Sequence, residues 1–333
     1  MNVADLYDKL LHSGYEKVLL IANSAGEAYL ISSFLRSYKK RINGRVLLIM
    51  TETHSDIPRI FFEGSFDHII ILSQRDIRLL ANFVTDHQAS KDRKIISLVL
   101  SHCFGGLGTE LVEGFLRRGQ GITIDYCYKL MLLGNFDILP EIPDLSSLRS
   151  RYMASYLPRS SVPIKSLGNR VLFFPRNNTS VTAPQEFWVE LGGRLTSQGV
   201  AVDVCTRGAE IGPDLEGIPF FNYVNYDLIE SIMYGSFYKS IYIGGNGLAF
   251  ILASLFKDKY ALLNILQSTL YCTGGDHRSR ASYERYSRLE YVSMFNCSEH
   301  VKRSDRIREW NIGEGRFDKD TSLSLIDSML VHS

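Results

Sequence analysis

Short apolar runs alternate with segments of helical period along nearly the whole chain, and this alternation constrains the fold more than any other feature. Residues 17–22 (KVLLIA) form a continuous apolar run, as expected of a parallel strand buried on both faces. Asn23-Ser24-Ala25-Gly26 then reads as a turn. Residues 27–40 follow as a helix, with Tyr29, Leu30, Ile31, Phe34, Leu35 and Tyr38 at helical spacing. Further strands are predicted at 45–50, 68–72 and 94–100, with helices at 76–87 and 109–118. A run of β-α units of this kind builds a parallel sheet covered by helices.

The pattern breaks between about residues 140 and 168, where Pro140, Pro143, Pro158 and Pro163 stand among many serines. A domain boundary is expected at 158–168. The alternation then restarts. Strands are predicted at 170–174, 200–205, 240–243 and 259–265, and helices at 183–198, 227–238, 248–256 and 321–330. The expected organisation is one Rossmann-like domain over 1–160, a second over 165–318 and a closing helix over 319–333. The fold class is α/β, with two doubly wound, Rossmann-like parallel-sheet domains. Ligands of such sheets bind at the carboxyl ends of the strands.

Charge excludes some functions. The 333 residues carry 37 Lys plus Arg against 36 Asp plus Glu, which argues against a nucleic-acid binder driven by phosphate attraction. The five cysteines are scattered without a CxxC pair and the eight histidines are dispersed, so no metal site is expected. The first residues lack the basic start and apolar core of a signal peptide. No apolar run approaches the ~20 residues that cross a bilayer. A soluble, cytoplasmic protein is expected, with peripheral contact at the inner face of a membrane left open. The oligomeric state is not legible.

Three strand-to-helix junctions carry residues suited to chemistry. At the first, Ser24 and Gly26 precede Glu27. The glycine allows a sharp turn, free N–H groups at a helix start hold a polar group, and Glu27 can serve as a general base. Glu27 would also simply complement the positive helix end. At the second, Arg176, Asn177, Asn178 and Thr179 suit a phosphate, although Ser180 and Thr179 also suit helix capping. At the third, Gly244, Gly245, Asn246 and Gly247 precede Leu248, a turn that lets a diphosphate approach the backbone. A tight turn requiring positive φ is the plainer reading. His102, among Gly105, Gly106 and Gly108, ends a predicted strand and is a candidate acceptor contact. The 222–224 segment (Asn222, Tyr223, Val224) is expected as a turn beside a nucleobase. No GxGxxG, P-loop or GxSxG motif is present, and no isolated DxD is suited to holding a divalent ion on a sugar diphosphate.

These stretches resemble the GT-B glycosyltransferases of the lipopolysaccharide heptosyltransferase type, best at residues 17–50 and 170–265. That family opens on a strand, Ser-x-Gly-Asp and a helix; here Ser24-Ala25-Gly26-Glu27 puts Glu27 at the catalytic acidic position. Its second domain opens on an apolar strand, a polar loop and a Pro-Glu-x-x-Trp-like helix start, matched by Val171 to Phe174, Arg176 to Thr182 and Pro184 to Trp188. Its donor loop, Asp-Thr-Gly-x-x-His, meets Gly245 to Phe250. Gly245 and Phe250 replace the Asp and His, and Val181 falls where the family has a lysine.

The resemblance implies a GT-B architecture and a metal-independent, inverting glycosyltransferase without a cofactor. It also implies an acceptor-side role for the domain over 1–160 and a nucleotide-sugar donor-binding role for the domain over 165–318. A nucleotide-sugar is the donor, and a glycan or lipid-linked glycan of a bacterial surface polysaccharide is the acceptor. A nucleotide-sugar epimerase or hydrolase on the same fold, and a non-catalytic glycan- or partner-binding member, remain as alternatives.

Overall fold

The computed structural model describes residues 2–22, 25–87, 93–98, 128–129, 131–132, 138–156, 163–175, 185–205, 215, 217–243, 251 and 255, and the backbones of 262–266 and 307–311. They divide into two compact units, one built from residues up to Pro143 and one from Asp144 onward.

In the first unit the strands are β1 (Lys17–Ile21), β2 (Val46–Thr51), β3 (His68–Leu72) and β4 (Ile95–Ser97). All run parallel, in the order β3-β2-β1-β4. Every residue of β1 and β2 is buried, as their unbroken apolar runs require. The exception by type is Lys17, whose ammonium reaches the Arg93 carbonyl at 2.9 Å while its stem lies inside.

Val18, Leu20, Leu47 and Ile49 share one face with Ile77, Leu80 and Val84 of α4 (Gln74–His87) and Leu10 of α1 (Val3–Leu11). The alternate residues Leu19, Ile21, Leu48 and Met50 are equally buried on the opposite face. The central strands β1 and β2 are thus covered on both sides, whereas edge strand β3 is largely exposed.

Helix α2 (Ala25–Ile42) runs 18 residues, and Gly26 to Leu35 are buried without a break. Several neighbours enclose it. Tyr29 meets Phe61 and Phe62 edge-on at the end of α3 (Asp56–Phe61). Glu141 donates its backbone N–H to the Ser33 carbonyl at 2.8 Å.

The second unit holds β5 (Arg170–Phe174), β6 (Ala201–Cys205), β7 (Phe221–Val224), β8 (Ser240–Ile243), β9 (Leu262–Leu266) and β10 (Ile307–Asn311). They form a parallel sheet in the order β10-β9-β8-β5-β6-β7. Two differences from the sequence expectation stand out. The interruption at 140–168 contains a helix, α5 (Leu145–Tyr156), followed by the short α6 (Ile164–Leu167). Residues 222–224 are not a turn but most of strand β7, whose ends Phe221 and Val224 are buried.

Helix α7 (Gln185–Ser197) packs Phe187, Trp188, Leu191 and Leu195 onto Val171, Phe173, Val202, Val204 and Phe221. Gly192 permits this closeness, since a Cβ there would stand 2.2 Å from Phe221 Cε1. Gly192→Val should therefore destabilise the second unit by about 1–3 kcal/mol through overpacking. At the adjacent Gly193 a Cβ would meet nothing nearer than 4.0 Å, and Gly193→Ala should be neutral or gain up to about 1 kcal/mol of helix propensity. Urea midpoints of the two variants check the contrast.

Candidate functional site

Both sheets reverse their winding at one place, and the candidate residues cluster in the sequence around those places. In the first unit β1, β2 and β3 step in one direction and β4 returns to the other side of β1. The switch point therefore lies at the carboxyl ends of β1 and β4, where Leu98 donates its N–H to the Leu20 carbonyl at 2.9 Å. Crevices at such points are where open α/β sheets bind ligands. The chain leaving β1 enters α2 four residues later, at Ala25.

Glu27 occupies the first turn of α2, where a carboxylate is favoured by the positive helix end. It is 7% exposed, and the Tyr128 hydroxyl donates to its Oε1 at 2.6 Å. That is the short distance typical of a hydroxyl donating to a carboxylate. Lys129, also buried, has its ammonium 5.3 Å from the centre of the Phe34 ring, so residues 128 and 129 both lie along α2. Gly26 is buried beside Glu27 in the same turn. The order strand, glycine, acid singles out Glu27 in the sequence, whereas nothing there points to Tyr128, whose partner lies 101 residues away.

In the second unit β5, β6 and β7 step one way and β8 returns to the other side of β5. Phe174, the last residue of β5, is paired with Ile243, the last residue of β8. The two segments expected to hold a donor thus depart from neighbouring strand ends at the switch point. Arg176, Asn177, Asn178 and Thr179 themselves, Gly244, Gly245, Asn246, Gly247 and Leu248, and also Ser24 and His102, lie outside the described residues.

Asn222 and Tyr223 are described, and their polar groups are engaged within the second unit. The Asn222 amide donates to Asp203 Oδ1 at 2.8 Å. The Tyr223 hydroxyl donates to the Leu215 carbonyl and accepts the Ile218 N–H at 3.2 Å, closing the loop that precedes β7.

Asp203 is fully buried in the middle of β6. It also accepts from Arg170 Nε at 2.8 Å, from a second guanidinium nitrogen of Arg170, and from the Tyr238 hydroxyl at 2.8 Å. The hydrogen bond to Asp203 raises the Arg170 pKa. Burial, and then the Asp203 charge, push the Tyr238 hydroxyl far above its ordinary value. Arg170 begins β5 and Tyr238 precedes β8, so this cluster sits toward the amino ends of the strands, away from the switch point. It is scaffold, and sequence reading saw its members only as strand residues.

Among the described residues no group of three or more His, Cys, Asp or Glu side chains is placed to hold a metal ion. Also among them, no helix is long and apolar enough to cross a membrane.

No family model matches the chain. A stretch of 157 residues is 26% identical to phosphatidic acid phosphohydrolase 1 of Saccharomyces cerevisiae, which is 46% of this chain but only 17% of that protein. Solved structures extend over both units. The chain is similar to the E. coli heptosyltransferase WaaC with ADP (13% identity, 94% of this chain and 99% of that one, TM-score 0.55). It is equally similar to the E. coli ADP-heptose lipopolysaccharide heptosyltransferase II (13% identity, 95% and 99%, TM-score 0.55). A glycosyl transferase of family 9 from Veillonella parvula matches at 10% identity over 96% and 98%, with a TM-score of 0.51. With two parallel, doubly wound sheets and this likeness across both units, the protein has the GT-B fold of the heptosyltransferases.

Proposed function

We propose that the chain is an inverting, metal-independent glycosyltransferase that moves a sugar from a nucleotide donor to a hydroxyl of a bacterial-type surface glycan at the inner face of a membrane. The observation that carries this reading is the coincidence of both topological switch points with the residues selected from sequence. Glu27 follows the first, and the strand ends leading to Arg176 and to Gly244 adjoin at the second.

In this reading Glu27 takes the proton of the acceptor hydroxyl as its oxygen attacks the anomeric carbon. The bond from that carbon to the diphosphate breaks on the opposite face, so the configuration inverts. The leaving nucleoside diphosphate keeps the bonding electrons. Arg176, Asn177, Asn178, Thr179 and the N–H groups of the 244–248 segment would bind the phosphates and neutralise the charge that develops there. Asn222 and Tyr223 would act indirectly, by fixing the edge strand of the donor-side unit. Ser24, Gly26 and His102 would receive the acceptor.

The test is a thermal-shift screen of nucleoside diphosphates and nucleotide-sugars, followed by donor turnover with and without glycan acceptor. A bound nucleotide at one hundred times its Kd should stabilise the protein by about 2.7 kcal/mol. Turnover should require acceptor and survive chelator. Turnover without acceptor would indicate an epimerase or hydrolase, and a strict need for magnesium or manganese would contradict the mechanism. The non-catalytic reading rests on Gly245 and Phe250, which stand where the resembling family has Asp and His. Nucleotide binding with no turnover on any acceptor would favour it.

A further inference from the structure

Ten consecutive residues, 36–45 (RSYKKRINGR), carry five cations and no acid. They form the last turns of α2 and the connection to β2, at the amino edge of the first sheet and at the opposite end of α2 from Glu27. Here the structure has an open groove of about 710 Å³ lined by Arg36, Lys39, Lys40 and Arg45 together with Asn43, Gly44 and Gly64. No acidic residue lines it. Four acidic residues lie nearby. Glu141 pairs with Arg36 at 2.9 Å, Asp67 pairs with Lys39 at 2.9 Å, Glu16 packs behind Gly44, and exposed Glu63 accepts from Arg36 through its carbonyl at 3.1 Å. Five cations against four acids leave a small excess of positive charge, and Lys40, Arg41 and Arg45 are exposed.

A basic last turn also offsets the negative end of a helix dipole. That accounts for Lys39, Lys40 and Arg41, while Arg45, beyond the helix, lies with its guanidinium 4.7 Å from the centre of the Tyr15 ring. It does not account for the apolar side chains beside the cations. Leu139 is 67% exposed and Ile142 41% exposed. Both belong to the segment that runs along α2, where the Leu139 N–H donates to Ser37 Oγ at 3.3 Å and Glu141 holds Arg36. Cations flanked by protruding aliphatic side chains match a surface that is anionic outside and hydrocarbon beneath. A single-stranded nucleic acid would call for exposed aromatic rings on which bases stack; here the Tyr15 ring is half-buried beneath the Arg45 guanidinium, and the exposed Leu139 and Ile142 are aliphatic.

We propose that this surface, formed by the carboxyl end of α2 and the 138–142 segment, docks the protein onto an anionic phospholipid membrane. The cations meet lipid phosphates and Leu139 and Ile142 enter the acyl boundary.

Sedimentation with vesicles tests this without any sugar donor, so its outcome is independent of the glycosyltransferase reading. The wild-type chain should bind vesicles of phosphatidylcholine mixed with phosphatidylglycerol, weakly or not at all bind phosphatidylcholine alone, and dissociate as salt rises. Each cation near the surface is worth about 1 kcal/mol, a factor of roughly five. Lys40→Ala should therefore lower the partition coefficient about fivefold, and Lys40→Ala with Arg41→Ala about 25-fold. Leu139→Asp, on a different segment, should weaken binding even at low salt. Melting curves of the three variants establish that each is folded. Equal binding to both vesicle types, or binding unchanged in the folded variants, overturns the proposal. So does tighter binding to a single-stranded oligonucleotide than to anionic vesicles.

Discussion

Glu27→Gln should lower kcat by about 100- to 10,000-fold, the usual worth of a positioned general base. The substitution is close to isosteric and keeps an oxygen to accept the Tyr128 hydroxyl, so the contact at 2.6 Å survives while the proton acceptor is lost. Because the side chain is only 7% exposed, a shorter or apolar replacement would mix packing damage into the result. Donor affinity and melting temperature should stay near wild type, since the donor-side residues belong to the other unit. The assay is turnover of the donor identified by the nucleotide screen, with acceptor saturating, beside a melting curve. Near-full turnover in a folded Glu27→Gln protein would remove Glu27 from the mechanism and leave its carboxylate as a partner for the positive end of α2.

The largest effect on stability is expected from Arg170→Leu, about 3–5 kcal/mol. Asp203 has no exposure to water, and its charge is balanced by the bidentate guanidinium of Arg170. Asn222 and Tyr238 also donate to it, but both are neutral. Removing the cation leaves a buried carboxylate with hydrogen bonds and no counter-charge, which is the costly way to break a buried pair. The double variant Arg170→Leu with Asp203→Leu removes both charges and should recover part of the loss. Recovery should be incomplete, because the Asn222 amide and the Tyr238 hydroxyl then lose their acceptor. Urea unfolding of the single and double variants measures this coupling. A single-variant cost near the ~0.5 kcal/mol of an ordinary surface change would show that the pair is worth little.

The fold was legible where a strand is buried on both faces. Val18–Ile21 and Val46–Met50 are unbroken apolar runs because both faces of each strand are buried. Strand β7 was not legible. It is an edge strand with only Phe221 and Val224 buried, so its four residues carry neither a continuous apolar run nor a clean alternation. Helix α5 was hidden for a different reason. Its sequence, LSSLRSRYMASY, follows two prolines and mixes serines with its apolar residues, so no face stands out at helical period.

The same contrast holds for the site. Glu27 is announced by its neighbours in sequence. Tyr128 joins it only through the tertiary fold, and no local pattern encodes a partner 101 residues away. The turn expected at Asn222 gives way for the same reason, since pairing with β6 makes it a strand residue and brings its amide to Asp203.

Helix α2 also acts as a ruler. Its first half is enclosed by protein on all sides, and its second half surfaces as the basic end. Glu27 and Lys40 are thirteen residues apart on one continuous rod. At 1.5 Å per residue that is about 20 Å along the axis. Under the proposed docking, that length is the greatest distance at which Glu27 could stand from the bilayer surface, and it shrinks as the helix inclines to bring Leu139 and Ile142 to the lipid. If Glu27 is the base, an acceptor anchored in the same bilayer would need to extend no further than this rod, so helix length sets an upper bound on the reach required of a lipid-linked sugar.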